Sequence, residues 1–113
     1  MVTKFCDINP SKIEKARGGE GFVECFAYNA LYNKSGCIKA FNLMELEAGS
    51  SVGVHSHIHD FEIYIIVEGS GLYFDNGKEV EVSKGDMMLC DKGENHGLKA
   101  VNEKIRFIAA IIE

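Results

Sequence analysis

Three of the chain's four histidines, His55, His57 and His59, fall within five positions of the stretch VHSHIHDFEIYIIVEG, and the fourth, His96, lies far downstream. Neutral imidazole is the commonest side-chain ligand of first-row divalent metals, so this spacing raises the chemistry of a metal site. On an extended strand alternate side chains share a face, and all three histidines would point the same way. Residues i and i+2 stand roughly 6.6 Å apart and can converge on one ion through bonds of about 2.1 Å. His55 and His59 would be roughly 13 Å apart on an unbroken strand, too far to share that ion. One strand therefore supplies two ligands. The others must come from Glu62 across the next turn, from His59 if the chain bends there, or from distant His96. The competing interpretation is an exposed histidine-rich loop with adventitious metal affinity only.

The elements that must position these residues read as strands. From about residue 22, short apolar segments alternate with turn signals, and strands are expected over 22–28, 37–47, 51–57, 61–68, 71–75, 78–83, 86–90, 95–100 and 105–112. Asn76-Gly77 suits a type I′ hairpin, because both residues accept positive φ. Residues 10–17, PSKIEKAR, read as the one short helix, with Pro10 at its start. This pattern predicts an all-β sandwich or barrel with a short N-terminal helix. A single domain is expected, with an N-terminal arm over about 1–21 and a barrel over about 22–113. In FEIYIIV, Glu62, Tyr64 and Ile66 share one face and Phe61, Ile63, Ile65 and Val67 the other. A sheet with one side in water alternates polar and apolar residues, so both faces of this strand need cover. The second sheet, the N-terminal segment or a second subunit could provide it. A homodimer is expected, because 113 residues leave little spare chain for the purpose.

Composition narrows the partners. The net charge of -5 and the absence of any basic run argue against nucleic acid. The densest basic patch, Lys12, Lys15 and Arg17, is offset by Glu14 and Glu20 and reads as a solvated face. No apolar segment reaches membrane-spanning length, and the start MVTKFCDINP lacks the apolar run of a signal peptide. The four cysteines, Cys6, Cys25, Cys37 and Cys90, form no CxxC pair. Together these features predict a cytoplasmic protein whose cysteines are mostly small core hydrophobes.

The glycines around the histidines add a frame. Gly49 precedes His55 by six positions, and G-SSVGV-H-S-H-IHDF-E-IYIIVE-G has the form G-x5-H-x-H-x3–4-E-x6-G. This resembles the first motif of the cupin superfamily. The segment GDMMLCDKGENHGLKA is similar to the second, G-x5-P-x-G-x2-H-x3-N, with Gly85, Gly93 and His96 in register. Asp91 replaces the usual proline and Ala100 the usual asparagine, with Asn102 two residues later. The HxHxDH pattern of dinuclear zinc hydrolases does not match, since HSHIHD reverses its last two residues.

The resemblance spans roughly residues 37–112 and implies a double-stranded β-helix, a jelly-roll barrel with a metal inside. It implies His55, His57, Glu62 and His96 as ligands of one divalent transition metal ion (Fe, Mn, Ni, Zn or Cu). Such a set leaves one or two open positions on an octahedral ion. A small-molecule ligand or substrate would bind in the barrel, and similar cupins include dioxygenases, decarboxylases and isomerases. Fold does not fix reaction, so a non-catalytic binding or sensing module and a purely structural metal stand as alternatives.

Other residues carry two readings each. His59 could shuttle protons at the barrel mouth or be an exposed loop histidine. Tyr64 is a candidate catalytic hydrogen-bond donor or a core tyrosine. Met44, Met87 and Met88 could line a pocket or fill the core. Cys90 could face the ion or be a buried inert thiol. Asp86 is expected to support a turn. Arg106 could anchor an anionic substrate or pair with a neighbouring carboxylate. The expected cavity face is rich in Met, Ile and Tyr, which favours an apolar or aromatic ligand over a sugar phosphate.

Overall fold

The computed structural model describes residues 1–113. Ten strands follow in order: β1 (Ser11–Glu14), β2 (Phe22–Ala27), β3 (Ile38–Leu46), β4 (Ser51–Ser56), β5 (Phe61–Glu68), β6 (Ser70–Asp75), β7 (Lys78–Ser83), β8 (Met87–Cys90), β9 (Asn95–Lys99) and β10 (Ile105–Ile112). They form two antiparallel sheets, β1-β2-β3-β10-β5-β8 and β4-β9-β6-β7. This is the two-sheet jelly-roll barrel that the sequence predicts. Leu46, Tyr64, Ile66 and Phe107 from the larger sheet pack against Val52, Tyr73, Val82 and Leu98 from the smaller one. The β6–β7 hairpin turns on Asn76 and Gly77, at φ 50° and 85°, the left-handed backbone a two-residue turn demands. No helix is long and apolar enough to cross a membrane.

The N-terminal segment departs from expectation. Residues 10–17 do not form a helix. Ser11–Glu14 pair with Phe22–Cys25 as an edge strand, and a single 3-10 turn follows at Ala16–Gly18. The helical propensity of KIEKAR is worth only tenths of a kcal/mol per residue, and the open edge of β2 overrides it. Lys15 and Arg17 then adopt left-handed backbone at φ 48° and 53°, which a right-handed helix cannot contain.

Both faces of β5 behave as their composition requires at one end of the sheet only. Glu62, Tyr64 and Ile66 are buried inside the barrel. On the outer face the arm covers the β2–β3 end, where Phe5 packs on Phe26 with ring centroids 4.7 Å apart. At the β5–β8 end, Ile65, Val67, Met87 and Leu89 remain between 38% and 60% exposed. Met87 is thus on the outer surface, whereas Met88 is core and Met44 packs against the core. Asp86 supports its turn as expected, its carboxylate accepting from the Ser83 N–H at 2.8 Å.

Candidate metal centre

Strand register brings the distant histidine to the local pair. His55 on β4 lies directly across from His96 on β9. His57 sits just past the end of β4, tied to the turn before β9 on both sides. Its N–H donates to the Glu94 carbonyl at 3.2 Å, and its own carbonyl accepts from the Gly93 N–H at 2.7 Å. That turn closes through Glu94 N–H to the Asp91 carbonyl at 3.0 Å, and the Asp91 N–H, which a proline would lack, donates to Glu94 Oε1 at 2.8 Å. Glu62 enters from β5 in the opposite sheet.

One donor atom from each of His55, His57, Glu62 and His96 lies within 4.8 Å of the other three. His96 Nε2 stands 3.2 Å from His55 Nε2, 3.3 Å from His57 Nε2 and 2.9 Å from Glu62 Oε1. Glu62 Oε1 is 3.0 Å from His57 Nε2 and 3.6 Å from His55 Nε2. The far side of each imidazole is also occupied. His55 Nδ1 donates to the Gly53 carbonyl at 2.8 Å and His57 Nδ1 to Asp60 Oδ1 at 2.7 Å. His96 Nδ1 meets the Tyr73 hydroxyl at 2.9 Å. A carbonyl and a carboxylate only accept, so the Nδ1 of His55 and His57 carry hydrogen and their Nε2 lone pairs can face inward.

This donor set fits a cation. Every buried side-chain nitrogen and oxygen has a polar neighbour, but here those neighbours are largely one another. Lone pairs this close repel unless a positive charge sits between them. Bonds of about 2.1 Å at right angles put neighbouring donors about 3.0 Å apart, close to the separations observed. Three imidazoles and a carboxylate suit first-row divalent ions.

Burial works to raise the pKa of Glu62, but the three imidazoles outweigh it and hold the carboxyl well below the usual carboxylate range. Contact with Glu62 raises the pKa of His57 against its burial, with help from Asp60. Burial lowers that of His96 against the opposing pull of Glu62. Asp60 is braced in turn by Lys39, whose Nζ lies 2.8 Å from its carboxylate.

The remaining candidates separate. His59 is exposed and stands outside the donor cluster, on the wall of a mouth cavity of about 380 Å³ that also meets Arg17, Lys39, His57 and Asp60. Tyr64 is buried and stacks on His96, with centroids 4.8 Å apart. It lines an inner cavity of about 250 Å³ with Arg17, Asn42, Met44, His55 and Glu62. Burial drives the Tyr64 phenol pKa far upward, reinforced by the charge of Glu62. Cys90 lies opposite Glu62 on β8 and is buried, with its thiol pushed up to about 11 by burial and by nearby carboxylates. That is the inert thiol of the two readings. Arg106 lines neither cavity and is engaged at Glu45, 2.7 Å from its Nε.

Sequence reasoning missed Gly53, Asp60 and Tyr73, the partners of the three Nδ1 atoms. Asp60 carried a local signal, three residues beyond His57. Tyr73 carried none, because its contact with His96 depends on the strand arrangement of the smaller sheet.

A two-sheet β-barrel with three imidazoles and a carboxylate converging inside it defines a class of small barrel proteins built around a potential metal site. The chain belongs to the cupin family: the cupin domain model matches residues 42–111. It is 40% identical over 116 residues to an oxalate-binding protein of Thermotoga maritima, covering 99% of this chain and 93% of that one. A crystal structure described as a predicted oxalate decarboxylase from Thermotoga maritima superimposes with a TM-score of 0.90 at 40% identity, over 99% of this chain and 98% of that one. KdgF from Halomonas sp. is similar in fold alone, with a TM-score of 0.78 at 14% identity over 99% and 94% of the two chains.

Proposed function

We propose that the chain holds one divalent transition metal ion at His55, His57, Glu62 and His96 and binds a small bidentate oxygen ligand beside it. The observation that carries this reading is the convergence of four donor atoms within 4.8 Å of one another, next to a cavity of about 250 Å³. The relative named as an oxalate-binding protein, at 40% identity, supports a ligand of that size and donor type over the apolar ligand suggested by the Met, Ile and Tyr content. A bound ion would act as a Lewis acid toward the two ligand oxygens. Glu62 would partly neutralise the ion, Tyr64 and Met44 would keep the inner wall dry, and Asp60 and Tyr73 would fix two of the imidazoles.

Binding is favoured over turnover. Beyond the donors, the ionisable groups of the inner cavity are Arg17, Cys25 and Tyr64, with the pKa of the latter two raised by burial. None is suited to give and take a proton near neutral pH. Metal analysis and calorimetric titration with oxalate test the reading. One ion per chain and saturable oxalate binding that needs the ion are expected; no stoichiometric metal would sink it. Release of carbon dioxide from oxalate by the metal-loaded protein would replace the binding reading with a decarboxylase one.

The protein is further proposed to be a homodimer. Ile63 and Ile65 on β5 stand beside Leu89 and Met87 on β8 in register, forming an apolar outer surface that the N-terminal arm does not reach. A second copy brings a matching surface through a twofold axis. The four free cysteines support a reducing compartment, the cytoplasm.

A further inference from the structure

The basic patch in the N-terminal arm contains a residue that is not merely solvated. Arg17 lines both the inner cavity, with His55, Glu62 and Tyr64, and the mouth cavity, with His57, His59 and Lys39. Four of the other cations have partners within the chain. Lys39 pairs with Asp60, Lys104 and Arg106 with Glu45, and Lys12 lies over the Phe22 ring. Arg17 makes no ion pair with any of the carboxylates that engage these residues.

The turn that carries Arg17 is built rather than loose. Ala16 is buried. The Lys15 N–H donates to the Gly21 carbonyl at 2.8 Å, and the Gly18 N–H to the Lys15 carbonyl at 2.9 Å. Glu20 and Ser51 exchange two further hydrogen bonds, each 2.8 Å, between the arm and β4. Left-handed backbone at two non-glycine residues, Lys15 and Arg17, costs of order 1 kcal/mol or more each and persists only when the surroundings enforce it. The enforcing contact is Gly53 on β4: a methyl group there would come within 2.2 Å of the Arg17 carbonyl oxygen. The same glycine accepts the Nδ1 hydrogen of His55. One residue thus seats both a donor imidazole and the arginine turn.

We propose that Arg17 is the anion-recognising half of the site, and that the ligand is a small dicarboxylate dianion held between the ion and this guanidinium. The inference rests on the metal-dependent reading above. Three neutral imidazoles and the Glu62 carboxylate leave a divalent ion with one net positive charge, and Arg17 raises the charge of the pocket to two. A dianion neutralises that charge; a neutral diketone or sugar does not. Guanidinium also offers a planar fork that matches a carboxylate. On a chain of net charge -5, a cation at the mouth gives an approaching anion a local path against the overall repulsion.

The test is calorimetry of manganese-loaded protein with oxalate and with its monoamide, oxamate, on wild type, Arg17→Gln and Arg17→Lys. Oxalate binding is expected to weaken at least tenfold in Arg17→Gln and to recover in part in Arg17→Lys, which keeps charge but not the fork. Oxamate is expected to lose less than oxalate. Manganese content and melting temperature are expected to stay at wild-type values in both variants. An Arg17→Gln protein that holds manganese and binds oxalate within twofold of wild type would overturn the role of Arg17 while leaving the metal reading intact. A wild type that holds no stoichiometric metal would instead overturn the metal reading.

Discussion

His57 is the most constrained of the four donors, held at backbone N–H and carbonyl and at Nδ1. Its carboxylate partner Asp60 aims the imidazole and raises its basicity, and loss of such a partner typically weakens metal affinity 10–100-fold. Asp60→Asn should therefore bind one ion more weakly by about that factor, as read by competition with a chromogenic chelator. His57→Ala should abolish uptake at micromolar metal. Extended-strand spacing allowed His55 and His57 to pair and left Glu62 and His59 as rivals. The turn after β4 brings Glu62 into the cluster that could hold an ion and leaves His59 outside it, at the mouth. Arg17 escaped because an arginine among lysines and glutamates looks solvated until the arm is seen folded onto β4.

At the scale of elements, the arm and β4 share one glycine contact that a side chain would destroy. Gly53→Ala should lift the Lys15–Gly19 turn off β4 and destabilise the fold by about 1–3 kcal/mol, the usual range for overpacking. Faster proteolysis within residues 1–21 reads the first effect and denaturant unfolding the second. On β3, Glu45 resists a burial penalty through Lys104 and Arg106, which bring its pKa below the ordinary 4.5. A lowered folded pKa contributes stability that is present above pH 4.5 and lost as pH falls through the folded value. Glu45→Gln should cost about 1 kcal/mol at pH 7, and its deficit against wild type should shrink as pH falls below 4.5 and vanish once Glu45 is protonated in the folded state, as followed by thermal melts. The strands themselves were legible because period-two apolar patterning survives any register. The segment 10–17 was not, because its fate depends on an unpaired edge of β2 that local propensity cannot reveal.

For the molecule as a whole, the outer face of β5 and β8 is the feature that one copy leaves uncovered. Ile65→Asp combined with Leu89→Arg should convert a dimer to a monomer in sedimentation velocity, with metal content unchanged. A wild type that already sediments as a monomer at tens of micromolar would remove the dimer proposal. The apolar outer strand face was readable from FEIYIIV alone, whereas the arm's covering of only one end of the sheet was not, because it depends on where Phe5 meets Phe26.

The donors are split between layers. His55 and His96 belong to the smaller sheet and Glu62 to the larger, so a bound ion is also a rivet through the barrel. It would oppose any parting of the two sheets, and a ligand at a thousand times its dissociation constant adds about 4 kcal/mol to the folded state. Chelation should then loosen β4, β5 and β9 together rather than one strand at a time. Hydrogen exchange would register this as a common loss of protection at those three strands, spreading from the centre of the barrel outward.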